Sequence, residues 1–153
     1  MTALRMYHGL AEMDKLLFAI GGHDGHTRLR SVEFYDPATN QWTIVSPMTA
    51  LRSVAGVASL GGSIYVVGGY DGKTYLDSVE YYDIELDQWF VGPSMTSRRS
   101  ALGLVAYSGC LYACGGFNGS FISSVERFVQ GSEAWEPVVS MQVERVHFGV
   151  TCT

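Results

Sequence analysis

The feature that most constrains this chain is a pattern repeated at a fixed interval. Double glycines fall at Gly21-Gly22, Gly68-Gly69 and Gly115-Gly116, and tryptophans at Trp42, Trp89 and Trp135. The glycine pairs are spaced 47 and 47 residues apart, the tryptophans 47 and 46. An aromatic stands seven residues before each tryptophan (Tyr35, Tyr82, Phe128) and a methionine six after it (Met48, Met95, Met141). An arginine follows each methionine by four: Arg52, Arg99 and Arg145. Met1 and Arg5 keep that spacing, so the chain begins in phase. The third unit is one residue shorter, between Gly119 and Val125. A constant period of this kind means that one supersecondary unit is repeated and stacked.

Each unit predicts four strands and no helix. In the second, Ser53 to Leu60 is the first strand, and Gly61-Gly62 is a two-residue hairpin turn needing positive φ, which glycine adopts freely. Ile64 to Val67 is an unbroken apolar run, as in a strand covered on both faces. Ser78 to Tyr82 alternates polar and apolar, and Asp87 to Val91 closes the unit before Pro93. Leu16–Ile20 and Leu111–Cys114 are the corresponding apolar runs, entered through Asp14-Lys15 and Ser108-Gly109 turns. A four-stranded meander with apolar inner strands must bury both faces against its neighbours. Radial stacking about an axis achieves this and leaves only short edges. The expected fold is all-β: three four-stranded antiparallel propeller blades.

The combination of Gly-Gly, Tyr, Trp, Met and Arg resembles the Kelch repeat. Val67-Gly-Gly-Tyr-Asp-Gly72, Phe34-Tyr-Asp-Pro37 and Arg99-Ser-Ala-Leu-Gly103 are similar to the Kelch-like branch of that family. The resemblance implies repeats at 5–51, 52–98 and 99–144 and a surplus closing inner strand at 145–153, together a partial Kelch domain over residues 1–153. The family ring usually has six blades, so the chain is expected to be its C-terminal half. Two copies related by a two-fold axis would complete such a ring as a homodimer. In the family, BTB and BACK domains precede the propeller and dock on a cullin, while the propeller presents substrate for ubiquitylation. Neither domain is in this sequence, which implies the recognition half of a ubiquitin-ligase adaptor. Binding to actin or the cytoskeleton is the alternative family role, and a metal-dependent propeller enzyme the remote one.

Family binding residues lie on one face, after each double glycine and at the start of each inner strand. Transferred to this sequence they are His23, Tyr70 and Phe117, then Met6, Ser53, Ser100 and Val146, with Arg28, Tyr75 and Ile122 five residues beyond the first group. The expected partner-binding set is His23, Arg28, Ser53, Tyr70, Tyr75, Ser100 and Phe117, the serines offering hydroxyls to a protein or peptide substrate. Aromatic and Arg side chains are the usual interface anchors. The repeated arginines read as structural groups that bond carbonyls of adjacent blades, and the six marker aromatics as core.

Other functions fit poorly. A net charge of −5 is a weak basis for binding nucleic acid, and no apolar stretch approaches the roughly 20 residues a bilayer needs. The N-terminus lacks a signal-type apolar segment, so the expected location is cytoplasmic. Cys110 and Cys114 on one strand would lie roughly 13 Å apart, too far for a disulfide, and Cys152 reads as a free thiol. A hydrolase wants a nucleophile beside a base, and no such pair is specified. His8 and His147 fall on inner strands. His23 and His26 flank Asp24, which the turn itself requires, as at Asp71 and Asn118. No cofactor, metal or catalytic residue is expected.

Overall fold

A computed structural model describes residues 1–151. Cys152, the expected free thiol, lies outside them, as does the end of the expected closing strand. Among the described residues twelve strands form three separate four-stranded antiparallel sheets, each in simple meander order. Blade 1 comprises β1 (Gly9–Met13), β2 (Leu16–Ile20), β3 (Val32–Asp36) and β4 (Gln41–Val45). Blade 2 comprises β5 (Gly56–Leu60), β6 (Ser63–Val67), β7 (Val79–Asp83) and β8 (Gln88–Gly92). Blade 3 comprises β9 (Gly103–Tyr107), β10 (Cys110–Phe117), β11 (Phe121–Val129) and β12 (Trp135–Val138). The innermost strands are neighbours, β1 beside β5 and β5 beside β9, so the blades fan out from a common hub.

The three inner hairpins share one turn geometry. Both central residues have positive φ: 53° and 65° at Asp14-Lys15, 58° and 78° at Gly61-Gly62, 50° and 74° at Ser108-Gly109. That is the primed turn whose twist matches the strands it joins. The strand after each turn is the most buried of its blade, and β6, between two blades, is buried on both sides. On β6, Ile64 and Val66 pack with Phe18, Ile20 and Val32 of blade 1, while Tyr65 and Val67 pack with Leu104, Leu111 and Phe128 of blade 3. The continuous apolar run therefore serves two interfaces, one per alternate residue.

Three expectations are corrected. The inner strand of the second unit begins its ladder at Gly56, not Ser53, because Val54 sits at φ 53° and breaks the extended course. Tyr35 and Trp42 are only half-buried, whereas Tyr82, Trp89, Phe128 and Trp135 are core. The side chains of blade 1 that correspond to the core aromatics face away from blade 2, whose own Tyr82 and Trp89 face blade 1. Lastly, residues 145–151 form no strand. The segment runs beside the innermost strand of blade 3, with Phe148 and Val150 lying over Gly103.

The repeated arginines staple blade to blade, as their recurrence suggested. Main-chain bonds tie Arg52 to blade 1: its carbonyl accepts from the Gly22 N–H at 2.8 Å and its N–H donates to Leu29 O at 3.0 Å. Its guanidinium reaches into blade 2, donating to Gly68 O at 2.8 Å, Ser78 O at 2.9 Å and the buried Glu80 carboxylate at 3.0 Å. Glu80 also accepts from the Thr49 N–H and hydroxyl, fixing the connecting segment. Arg99 with Glu126 and Arg5 with Glu33 repeat the arrangement. The first glycine of each pair makes room for it. A Cβ at Gly68 would stand 2.3 Å from Arg99 O, with φ at 63° besides. Arg145 makes the same main-chain bond, accepting from Gly116 N–H at 2.8 Å, while its side chain is exposed.

Candidate functional site

The post-glycine residues and the starts of the inner strands meet on one end of the blades. Main-chain pairs join Met6 to His23, Ser53 to Tyr70 and Ser100 to Phe117. Each pair exchanges two N–H···O bonds of 2.8–3.0 Å. His23 in turn pairs with Arg28, and Tyr70 with Tyr75. The seven residues singled out in the sequence thus lie together at one end of the blades, joined by these backbone pairs.

Four half-buried side chains and the exposed Phe121 form a continuous string across the three blades. The Arg28 guanidinium lies over the Tyr70 ring at 5.2 Å. Tyr70 meets Tyr75 at 5.3 Å, Tyr75 meets Phe117 edge-on at 5.6 Å, and Phe117 meets Phe121 at 5.4 Å. Such offset and edge contacts suit the ring quadrupole, and a guanidinium over a ring face is attracted to it. At the Arg28 end the string borders a cleft of about 630 Å³ lined by Met6, Tyr7, His23, Arg28, Ser53, Val54, Tyr70 and His147. Among the described residues no carboxylate lines it.

The serines play a different part from the one expected. Ser53 and Ser100 are buried, and their hydroxyls donate to Tyr70 O at 3.1 Å and Phe117 O at 3.2 Å. They hold the aromatic loops; they do not project toward a visitor.

Three residues were not foreseen. The shortened third loop places Phe121, not Ile122, opposite Phe117. Counting back four residues from the valine that pairs with the end of the apolar run (Val32, Val79, Val125) gives Arg28, Tyr75 and Phe121, so the one-residue deletion carried the signal. Tyr7 and His147 line the cleft as members of a hub series that also includes Val54 and Ala101. All four have φ between 51° and 57°. Each later member donates its N–H to the carbonyl of the one before: Val54 to Tyr7 at 2.9 Å, Ala101 to Val54 at 2.7 Å, His147 to Ala101 at 3.0 Å. Nothing in side-chain type announces this conformation.

Two of the turn aspartates are engaged in architecture. Asp24 accepts from the His26 and Thr27 N–H groups at 2.7 Å, closing the turn as Asp71 does for Lys73 and Thr74. The Thr27 and His26 bonds hold the Asp24 carboxyl below its usual range. Burial pushes the Cys114 thiol up, the opposite of what a nucleophile needs. Among the described residues no group of three His, Cys, Asp or Glu side chains is placed to hold a metal ion.

Comparison with known proteins agrees with this geometry. The family model described as the Kelch motif matches three times, over residues 4–49, 51–96 and 98–142. Kelch-like protein 35 of Mus musculus is 48% identical over 44 residues, 29% of this chain and 8% of that protein. Kelch-like protein 25 of Rattus norvegicus is 39% identical over 57 residues, 31% of this chain and 10% of that protein. Kelch-like protein 7 of Rattus norvegicus is 46% identical over 44 residues, 29% and 8% of the two chains. The aligned segments thus span a tenth or less of these relatives' length.

Proposed function

Because this chain belongs to the Kelch-repeat family, we propose that it is a protein-recognition module whose ligand, a protein or peptide, lies along the Arg28–Phe121 string with a side chain in the adjoining cleft. The string carries the reading. Five large side chains in mutual contact on a main-chain-paired surface make the kind of rigid aromatic and Arg anchor on which binding energy concentrates. Pre-organisation lowers the ordering cost of binding.

The context we favour is substrate capture for a cullin-based ubiquitin ligase, supported by the likeness to Kelch-like proteins. In that setting the blades choose the substrate and separate BTB and BACK domains couple it to the ligase.

Affinity capture with the chain, beside a Tyr70→Ala, Phe117→Ala double variant of unchanged circular dichroism, tests the site. A partner retained by the first and lost by the second is expected. Equal recovery by both would show that the string is not the contact. Fused behind BTB and BACK domains, the unaltered chain should raise ubiquitylation of that partner and the double variant should not.

A further inference from the structure

The sequence holds two asparagines, Asn40 and Asn118, and the second is followed by glycine. Asn118-Gly119 forms the tip of the shortened blade 3 loop, between Phe117 and Phe121, which pair across it. It stands where the other two loops have Asp24-Gly25 and Asp71-Gly72. The three glycines share one backbone conformation, with φ of 103°, 104° and 109°.

The tips differ in how the side chain is held. The Asp24 and Asp71 carboxylates each accept two N–H bonds of 2.7 Å, from the residues two and three further on. The Asn118 amide oxygen accepts one, from Ser120 N–H at 3.3 Å. Among the described residues the Asn118 amide nitrogen and the Gly119 N–H have no hydrogen-bond partner. Asn118, Gly119 and Ser120 are all exposed, and a Cβ built on Gly119 would meet nothing within 4 Å.

The carbon of an asparagine side-chain amide is an electrophile, and the next backbone nitrogen is placed to attack it, closing a five-membered succinimide. A side chain on the following residue obstructs that closure, and hydrogen bonds that hold the amide or the nitrogen oppose it. Asn40 meets both obstacles. Its amide oxygen receives the Tyr35 hydroxyl at 2.8 Å, and Gln41 carries a side chain and pairs with Asp36 in the ladder. At Asn118 one long bond is all that stands in the way. The aspartyl tips resist for another reason, since a carboxylate anion is a poor electrophile. Bonds from Thr27 and His26, and from Thr74 and Lys73, hold those two carboxyls below their usual range.

We propose that Asn118 is a spontaneous deamidation site, through which the blade 3 tip acquires the anionic group that the other two tips already carry. The Gly119 nitrogen bonds to the Asn118 Cγ, the Cγ–Nδ2 bond breaks, and ammonia leaves with the Gly119 proton. One water then opens the ring. Cleavage of the new N–Cγ bond gives aspartate, and cleavage of the original peptide bond gives isoaspartate, whose backbone is one carbon longer. Nothing is oxidised or reduced. Either product adds a negative charge beside Phe117 and Phe121, at the far end of the Arg28–Phe121 string. That this charge tunes recognition rests on the string being the ligand surface; the reaction itself does not.

Peptide mapping by mass spectrometry tests it, on the full chain incubated at neutral pH both folded and in urea. The peptide holding Asn118 should gain about one mass unit and split into aspartyl and isoaspartyl forms. An S-adenosylmethionine-dependent isoaspartyl methyltransferase should label the second form. Because an exposed loop tip needs no opening, the folded chain should react within about tenfold of the unfolded rate. Asn40 and the two Asp-Gly tips should stay unchanged over the same time. Asn118→Gln, whose amide would have to close a larger ring, should keep the circular dichroism spectrum and lose the mass gain. Slowing of Asn118 by folding beyond that tenfold overturns the proposal. So does conversion of Asn40 at an equal rate, product without isoaspartate, or an undiminished mass gain in the glutamine variant.

Discussion

Replacing Glu80 by alanine removes the acceptor of the blade 1–blade 2 staple and leaves its cation behind. Glu80 and Arg52 are each 2% exposed. The carboxylate receives bonds from Thr49 N–H at 2.7 Å, Thr49 Oγ1 at 2.6 Å, Ala50 N–H at 3.2 Å and two guanidinium nitrogens at 3.0 and 3.1 Å. Breaking a buried pair from one side costs about 3–5 kcal/mol, mostly through the uncompensated charge. With a urea slope of about 2 kcal/mol/M, the midpoint should drop by about 2 M. Tryptophan fluorescence is a suitable probe, since Trp89 donates across the same boundary to Ser46 O. The control is Glu136→Ala, which breaks the exposed pair with Arg127 and should cost less than about 1 kcal/mol. Adding Arg52→Met to Glu80→Ala should restore part of the loss by removing the stranded cation. If Glu80→Ala costs no more than Glu136→Ala, or if the double variant is weaker than the single one, the staple does not hold the blades as described.

Two further outcomes are expected. Lys15 stands at φ 65°, where the other hairpins have Gly62 and Gly109. Lys15→Gly should therefore stabilise the chain by about 1 kcal/mol, the left-handed cost for a residue with a Cβ, read as a rise of about 2–4 °C in Tm; an unchanged or lower Tm would refute it. For acid, burial pushes Glu33 and Glu126 upward, but bonds from Thr2 and Arg5 to the first and from Ser97, Thr96 and Arg99 to the second hold both below the ordinary 4.5. A depressed carboxylate stabilises the fold fully above its unfolded value and loses that contribution as pH falls through the folded one. The urea midpoint, followed from pH 7 to pH 2, should stay level until about pH 5 and then decline. A decline that is complete above pH 5 would place the effect on other groups.

The meander, the primed hairpins and the two-sided burial of the second strands were legible because each has a local signature: a glycine pair, a turn dipeptide, an apolar run. Marker spacing also located the loop face, since position along a repeat fixes position on a blade. The misreadings arose where neighbours decide. Tyr35 and Trp42 match the core aromatics residue for residue, but they lie on the side of blade 1 away from blade 2 and are half-buried there. Ser53 and Ser100 seemed available hydroxyls until the carbonyls of Tyr70 and Phe117 took them. Val54, a β-branched residue, gives no hint of a left-handed φ, which the relay to Tyr7 and Ala101 imposes. Phe121 was missed by counting forward across a deletion when counting backward from Val125 keeps register.

The paired backbone of the loop face separates two kinds of change. Met6 with His23, Ser53 with Tyr70 and Ser100 with Phe117 commit their amides and carbonyls to one another, so the frame does not depend on what Arg28, Tyr75 or Phe121 project. New specificities can be written into those side chains one at a time, with the scaffold keeping its shape while its preferences drift.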